Sequence, residues 1–131
     1  MRWSDEYATG IERVDEQHQT IFQMTDDFRA ALEEGGGKET YGLLLDFLDR
    51  YCRSHFRFEE RCMDDYQCPM AQKNKEDHRR FVDVLSGYRQ RYAVNGFDRA
   101  EACTLMDTID RWLAEHICGV DMHLKHCAKT A

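Results

Sequence analysis

A chain of 131 residues with 42% hydrophobic content and a single proline is long enough to bury one core and too apolar to stay disordered. Its formal net charge of −7, with no basic cluster, argues against nucleic acid or an anionic membrane surface as a partner. No run reaches the ~18 apolar residues of a spanning helix, and "MRWSDEYATG" lacks the apolar centre of a signal peptide, so a cytoplasmic protein is the simplest expectation.

In chain order, the first 14 residues are polar but hold Trp3, Tyr7 and Ile11, and they read as an ordered arm that packs its aromatics across the rest. From about residue 15 to 34, His18, Ile21, Phe22, Phe28 and Leu32 recur at helical spacing. "EGGGKE" breaks that segment. A second runs from about 39 to 66 and carries Leu44, Leu48, Tyr51, Cys52, His55, Glu59 and Met63 on one stripe. "YQCPM" ends it, since proline closes one helix and opens the next. The third, about 70–93, shows Asn74, His78, Phe81, Leu85, Tyr88 and Tyr92, and "VNGFD" follows. The fourth, about 98–119, shows Leu105, Met106, Ile109, Trp112, Leu113, His116 and Ile117. Every stripe follows a period of three to four rather than two, and the connections are short. The expectation is one all-α domain, an up-down-up-down four-helix bundle with an N-terminal arm.

Six cysteines (Cys52, Cys62, Cys68, Cys103, Cys118 and Cys127) form neither a CxxC pair nor a CxxCH haem-attachment signature. They read as small buried hydrophobes or exposed thiols in a reducing compartment.

The histidines are more informative. His55 and Glu59 lie four apart, on one face of a helix and among apolar neighbours. A buried carboxylate is costly unless it is paired or holds a metal. Each of the other three stripes also offers a potential ligand: His18, His78 and His116, with Asp121 five residues beyond His116. One histidine on an apolar stripe is ordinarily a hydrogen-bonded core residue. Four on four stripes with two carboxylates would leave several kcal/mol of polar burial per group uncompensated without an ion. Imidazoles with carboxylates suit iron, zinc or manganese, and so many donors are better used by two carboxylate-bridged ions than by one. The spacing of five exceeds one α-turn, which predicts a π-type widening between His116 and Asp121. His123 and His126 read as solvated surface.

At this level of detail the chain resembles the hemerythrins, and in particular their bacterial single-domain type. The resemblance spans almost the whole sequence: Trp3, "GIERVDEQH" ending in His18, "HFRFEE" with His55 and Glu59, Pro69, His78 with Phe81, and "WLAEHICGVD" with His116 and Asp121. It implies a non-haem di-iron centre that binds dioxygen reversibly, with Glu59 and Asp121 bridging the irons. It further implies that His18 and His55 hold the iron that receives dioxygen, that His78 and His116 hold the other, and that Leu113 and Ile117 wall a dry dioxygen pocket. Two positions depart from the pattern: Cys68 stands before Pro69 where the family often has tyrosine, which reads as a packing change only, and the other lies on the third helix. The third helix of the family offers HxxxH, and "NKEDH" here puts Asn74 at the first of those positions. A carboxamide oxygen is a poorer donor than imidazole, so Asn74 is either a weak metal position or a hydrogen-bonding neighbour of the ligands. Asp77, about 100° around the helix from His78, is a poor substitute donor.

The resemblance implies an oxygen carrier, store or delivery protein rather than an enzyme, and a hydrolytic metalloenzyme is disfavoured because no histidine, glutamate or serine is left free beside the site as an obvious general base. The alternative is a di-iron module that senses or detoxifies oxygen, nitric oxide or peroxide. A third reading is a bundle with a degenerate site and an interaction role. The residues point to no particular protein partner.

Overall fold

The computed structural model describes residues 2–130, with side chains described as far as Cys127; Met1 and Ala131 at the two ends of the expected domain lie outside the described residues. Four long helices follow one another: α1 (Glu12–Glu33), α2 (Tyr41–Asp65), α3 (Ala71–Asn95) and α4 (Arg99–His116). After α4 the chain widens into one π-helical segment, Ile117–Asp121, and continues as α5 (Met122–Thr130). There is no strand among the described residues, and the fold is an all-α four-helix bundle. α2 packs on α1 and α3, and α4 closes the ring against α1 and α3. No described helix is long and apolar enough to cross a membrane.

Local chemistry accounts for the breaks. Gly37 adopts φ 102°, a left-handed conformation that L side chains rarely take, and a Cβ there would lie 2.9 Å from Leu32 Cδ2. The turn between α1 and α2 therefore requires glycine. Gly96, at φ 75°, ends α3 in the same way and its N–H bonds back to the Tyr92 carbonyl at 2.8 Å. Asp98 then starts α4, its carboxylate accepting from the Ala100 N–H at 2.9 Å.

The arm is tied at both its ends. Trp3 meets Phe22 edge-on with ring centroids 5.8 Å apart, and Tyr7 stacks on the same ring at 5.7 Å. Asp15, in the first turn of α1, accepts from the Thr9 N–H at 2.7 Å and the Thr9 hydroxyl at 2.9 Å. A short 3₁₀ turn at Asp5–Tyr7 lies between, and α1 begins at Glu12, three residues before the expected boundary. Asp15 provides the missing signal, because its carboxylate accepts from the Thr9 and Gly10 N–H groups and so ties the arm to the first turn of the helix.

Two differences from expectation lie at the other end. The fourth helix was expected to finish near 119, but helical backbone runs on to Thr130, because Val120 and Leu124 bury against Val14 and Met63. That packing also brings Cys127 to Cys68, and the two form a disulfide across 59 residues with Cα atoms 5.6 Å apart. The other four cysteines are free: Cys52 is buried, Cys62 half-buried, and Cys103 and Cys118 exposed. The expectation that most of the cysteines are thiols holds for these four, and the Cys68–Cys127 pair, which no local spacing relates, is the exception.

Candidate metal centre

The bundle interior has an apolar part, built around Phe22, Leu48, Leu105 and Ile109, and at one end a polar knot. In that knot His18, His55, Glu59, Asn74, His78, His116 and Asp121 are all at most 3% exposed. Helical periodicity explains how each reaches the interior. His55 and Glu59 lie one turn apart on α2, and Asn74 and His78 one turn apart on α3. Asp121 is the instructive case. It follows His116 by five residues, and the π-helical segment between them widens the turn so that both are buried side by side.

The four imidazoles turn their Nε2 atoms inward, onto two carboxylates. Glu59 Oε2 lies 3.1 Å from His18 Nε2 and 3.2 Å from His55 Nε2, while its other oxygen, Oε1, lies 3.0 Å from His78 Nε2 and 3.6 Å from His116 Nε2. Asp121 divides itself the same way, with Oδ2 3.2 Å from His18 Nε2 and Oδ1 3.0 Å from His116 Nε2. Each carboxylate thus gives one oxygen to the His18 and His55 side and one to the His78 and His116 side. His78 Nε2 and His116 Nε2 stand 3.0 Å apart. All six residues that the sequence singles out as ligands are brought together, in groups of ligand atoms within 4.8 Å of one another. His123 and His126 are exposed.

The outward nitrogens follow a second rule, which sequence reading missed. His55 Nδ1 lies 2.7 Å from Gln17 Oε1, His78 Nδ1 3.0 Å from Glu60 Oε2, and His116 Nδ1 3.2 Å from Asp77 Oδ2. These three partners immediately adjoin His18, Glu59 and His78 in sequence, yet each serves a histidine on the next helix round the ring. The roughly 100° that separates neighbours on a helix turns one side chain to the centre and the next toward the adjoining helix. The offset that disqualifies Asp77 as a donor beside His78 is what brings it to His116. Such partners fix which ring nitrogen carries the proton and raise the basicity of the inward one.

The electrostatics show what a metal-free knot must do with its charge. Burial disfavours the imidazolium of His18, but Asp121 and Glu59 outweigh burial and raise its pKa to about 9. His116 is raised against the same penalty to about 10, chiefly by Asp121. His55 goes the other way, lowered by burial. Glu59 is held well below the ordinary carboxylate range, since His55, His116 and His18 outweigh the burial that would raise it. Two buried carboxylates are thus neutralised by protons on two imidazoles, positions that a cation can take instead.

A cation suits these residues better than protons do. Both oxygens of Asp121, although 3.0 and 3.2 Å from imidazole nitrogens, lack a hydrogen bond of acceptable geometry, and His18 Nδ1 has no partner. Buried polar atoms left in that state cost about 1–3 kcal/mol each. The donors are imidazole and carboxylate without thiolate, a set suited to iron, zinc or manganese. Beside His78 and His116 an aromatic ring packs flat on each imidazole. Phe56 stacks on His78 with centroids 3.9 Å apart and planes at 8°, and Trp112 stacks on His116 at 4.4 Å and 12°. Leu113 and Ile117, on the last turn of α4 and the start of the π segment, are buried at 2% and 0%.

Comparison with known proteins points the same way. Residues 9–128 match the family model of the hemerythrin HHE cation binding domain. The chain is 31% identical over 119 residues to a bacteriohemerythrin of Stenotrophomonas maltophilia, covering 91% of this chain and 75% of that one. It is 32% identical over 115 residues to a bacteriohemerythrin of Pseudomonas aeruginosa, covering 88% and 72%. A myohemerythrin of Theromyzon tessulatum is 24% identical over 124 residues, covering 95% and 90%. With its four-helix bundle and its buried imidazole and carboxylate knot, the chain belongs to the hemerythrin family.

Proposed function

We propose that this chain holds two non-haem iron ions and binds dioxygen reversibly, as a carrier, store or delivery protein. The observation that carries the reading is the division of Glu59 and of Asp121, each with one oxygen on either side of the knot. Two ions, if bound, would share these two carboxylates and each would keep two imidazoles. His18 and His55 would hold one ion, and His78 and His116 the other. The iron pair, when bound, supplies the two electrons that a reversible capture of dioxygen needs.

The remaining work falls to the chain's own residues. Gln17, Glu60 and Asp77 hold His55, His78 and His116 in the tautomer that leaves Nε2 free to donate. Leu113 and Ile117 keep water, and with it protons, away from the His18 and His55 side. Binding rather than catalysis is supported by what is tied up. Glu60 and Asp77, the acids nearest the knot, already accept from imidazoles and are not free to serve as a general base.

The test is the ultraviolet-visible spectrum of iron-loaded protein, cycled between dioxygen and inert gas, with the iron-to-protein ratio measured alongside. Two irons per chain and a spectrum that reverses over repeated cycles support the proposal. Consumption of peroxide or nitric oxide without a reversible oxygenated form would assign a detoxifying or sensing role instead. Full iron retention in Glu59→Ala would refute the bridging role.

A further inference from the structure

We infer that the donor group of His78 and His116 keeps an exchangeable coordination position beside Asn74, suited to water or a small monovalent anion hydrogen-bonded by the Asn74 carboxamide. The inference rests on the two-ion reading above and adds a second accessible position to it.

The donor sets come first. On one side stand His18 Nε2, His55 Nε2, Glu59 Oε2 and Asp121 Oδ2. On the other stand His78 Nε2, His116 Nε2, Glu59 Oε1 and Asp121 Oδ1. The two sides are therefore equal, with two imidazoles and two carboxylate oxygens each. A histidine at position 74 would have broken that equality by filling a further place on the His78 side. With asparagine there, both ions are left equally short of protein donors.

Asn74 itself supplies the independent observation. Its side chain is 0% exposed, and neither its oxygen nor its nitrogen has a hydrogen-bond partner. An amide buried in that state costs about 1–3 kcal/mol per unpaired group. It lies one turn before His78 on the same face of α3, at the end of the bundle where the knot is built. A carboxamide is a poor donor to iron but offers two N–H groups and a carbonyl, which suits it to hold a small ligand rather than to replace an imidazole.

Charge selects the ligand class. Only Glu59 and Asp121 put negative charge directly beside the ions, Glu60 and Asp77 lying behind the imidazoles, so two divalent ions would leave a positive field at the open position that admits water or a small anion. The second ion is not simply weakened by the loss of an imidazole. Both of its imidazoles have carboxylate partners, Glu60 and Asp77, whereas His55 has the neutral Gln17 and His18 Nδ1 has no partner. A carboxylate behind an imidazole makes it the stronger donor. The His78 side has as many imidazoles as the other but more basic ones, which retains an ion and still leaves a position open.

The experiment loads the full chain anaerobically with cobalt(II), an ion that holds its oxidation state, and titrates azide by visible absorption. Two azides per chain are expected in the parent, and one in Asn74→His, where the new imidazole occupies the position. The cobalt ion on the His78 and His116 side should also tighten at least ten-fold in Asn74→His. One azide in a parent that holds two cobalt ions overturns the inference and leaves the two-ion reading standing. Two azides in both proteins would overturn the placement beside Asn74. Failure of the parent to take two cobalt ions would instead overturn the reading on which the inference rests. The parent's azide count decides even if Asn74→His does not fold.

Discussion

Asp77→Asn tests whether the carboxylates outside the knot govern the ions inside it. Asp77 Oδ2 stands 3.2 Å from His116 Nδ1, and its side chain is 14% exposed. Its pKa is lowered, because Lys73 and His116 overcome the burial that would raise it, so the group is a carboxylate at neutral pH. Loss of such a partner costs about 10–100-fold in metal affinity. The lower end applies here. Lys73 Nζ, at 3.0 Å, already draws on the same carboxylate, and asparagine keeps an acceptor oxygen for the imidazole. About ten-fold is therefore expected, or ~1.4 kcal/mol, confined to the ion on the His78 and His116 side. Anaerobic cobalt titration followed by visible absorption resolves the two ions, and circular dichroism checks that the helices persist. Lys73→Met, which removes the ammonium but leaves His116 its partner, should change little. Unchanged affinities in a folded Asp77→Asn would refute the argument. Equal weakening of both ions would show that Asp77 supports the bundle rather than His116.

Three further outcomes follow from the same geometry. Metal-free protein should lose stability on the alkaline side, because His18 and His116 have folded pKa values of about 9 and about 10. Raised above the unfolded value of about 6.5, they contribute stability fully present below that pH and lost as pH rises through the folded values. Thermal unfolding of metal-free and loaded protein between about pH 6 and pH 10 checks this; a parallel response in both would contradict it. Leu113→Ala, at a side chain 2% exposed, should cost ~2–5 kcal/mol of stability through the cavity it leaves and hasten autoxidation of iron-loaded protein. Stopped-flow comparison with the parent measures the second effect, and equal rates would show that Leu113 does not exclude water. Reduction of Cys68–Cys127, which closes a span of 59 residues, should destabilise the fold by up to about 4 kcal/mol. Denaturant titrations with and without dithiothreitol test it, and superimposable curves would show that the link contributes nothing.

What the sequence determined by itself is whatever repeats within one helix. The four apolar stripes, the pairing of His55 with Glu59 one turn on, and the need for a wider turn between His116 and Asp121 all follow from 3.6 residues per turn, and the π segment at Ile117–Asp121 supplies that turn. Tertiary structure decided everything that depends on how one helix is rotated and shifted against another. The division of each carboxylate between two histidine pairs is such a feature, because it depends on where α1, α3 and α4 place their imidazoles around Glu59. So is the service of His55, His78 and His116 by Gln17, Glu60 and Asp77, residues whose own stripes face away from the core. The disulfide and α5 belong here too, since Cys68 and Cys127 meet only through the packing of Leu124 and Val120 on Val14 and Met63. Helical periodicity is local and survives in a string of letters, whereas the register between helices is set by side-chain packing across the bundle, which no spacing along the chain records.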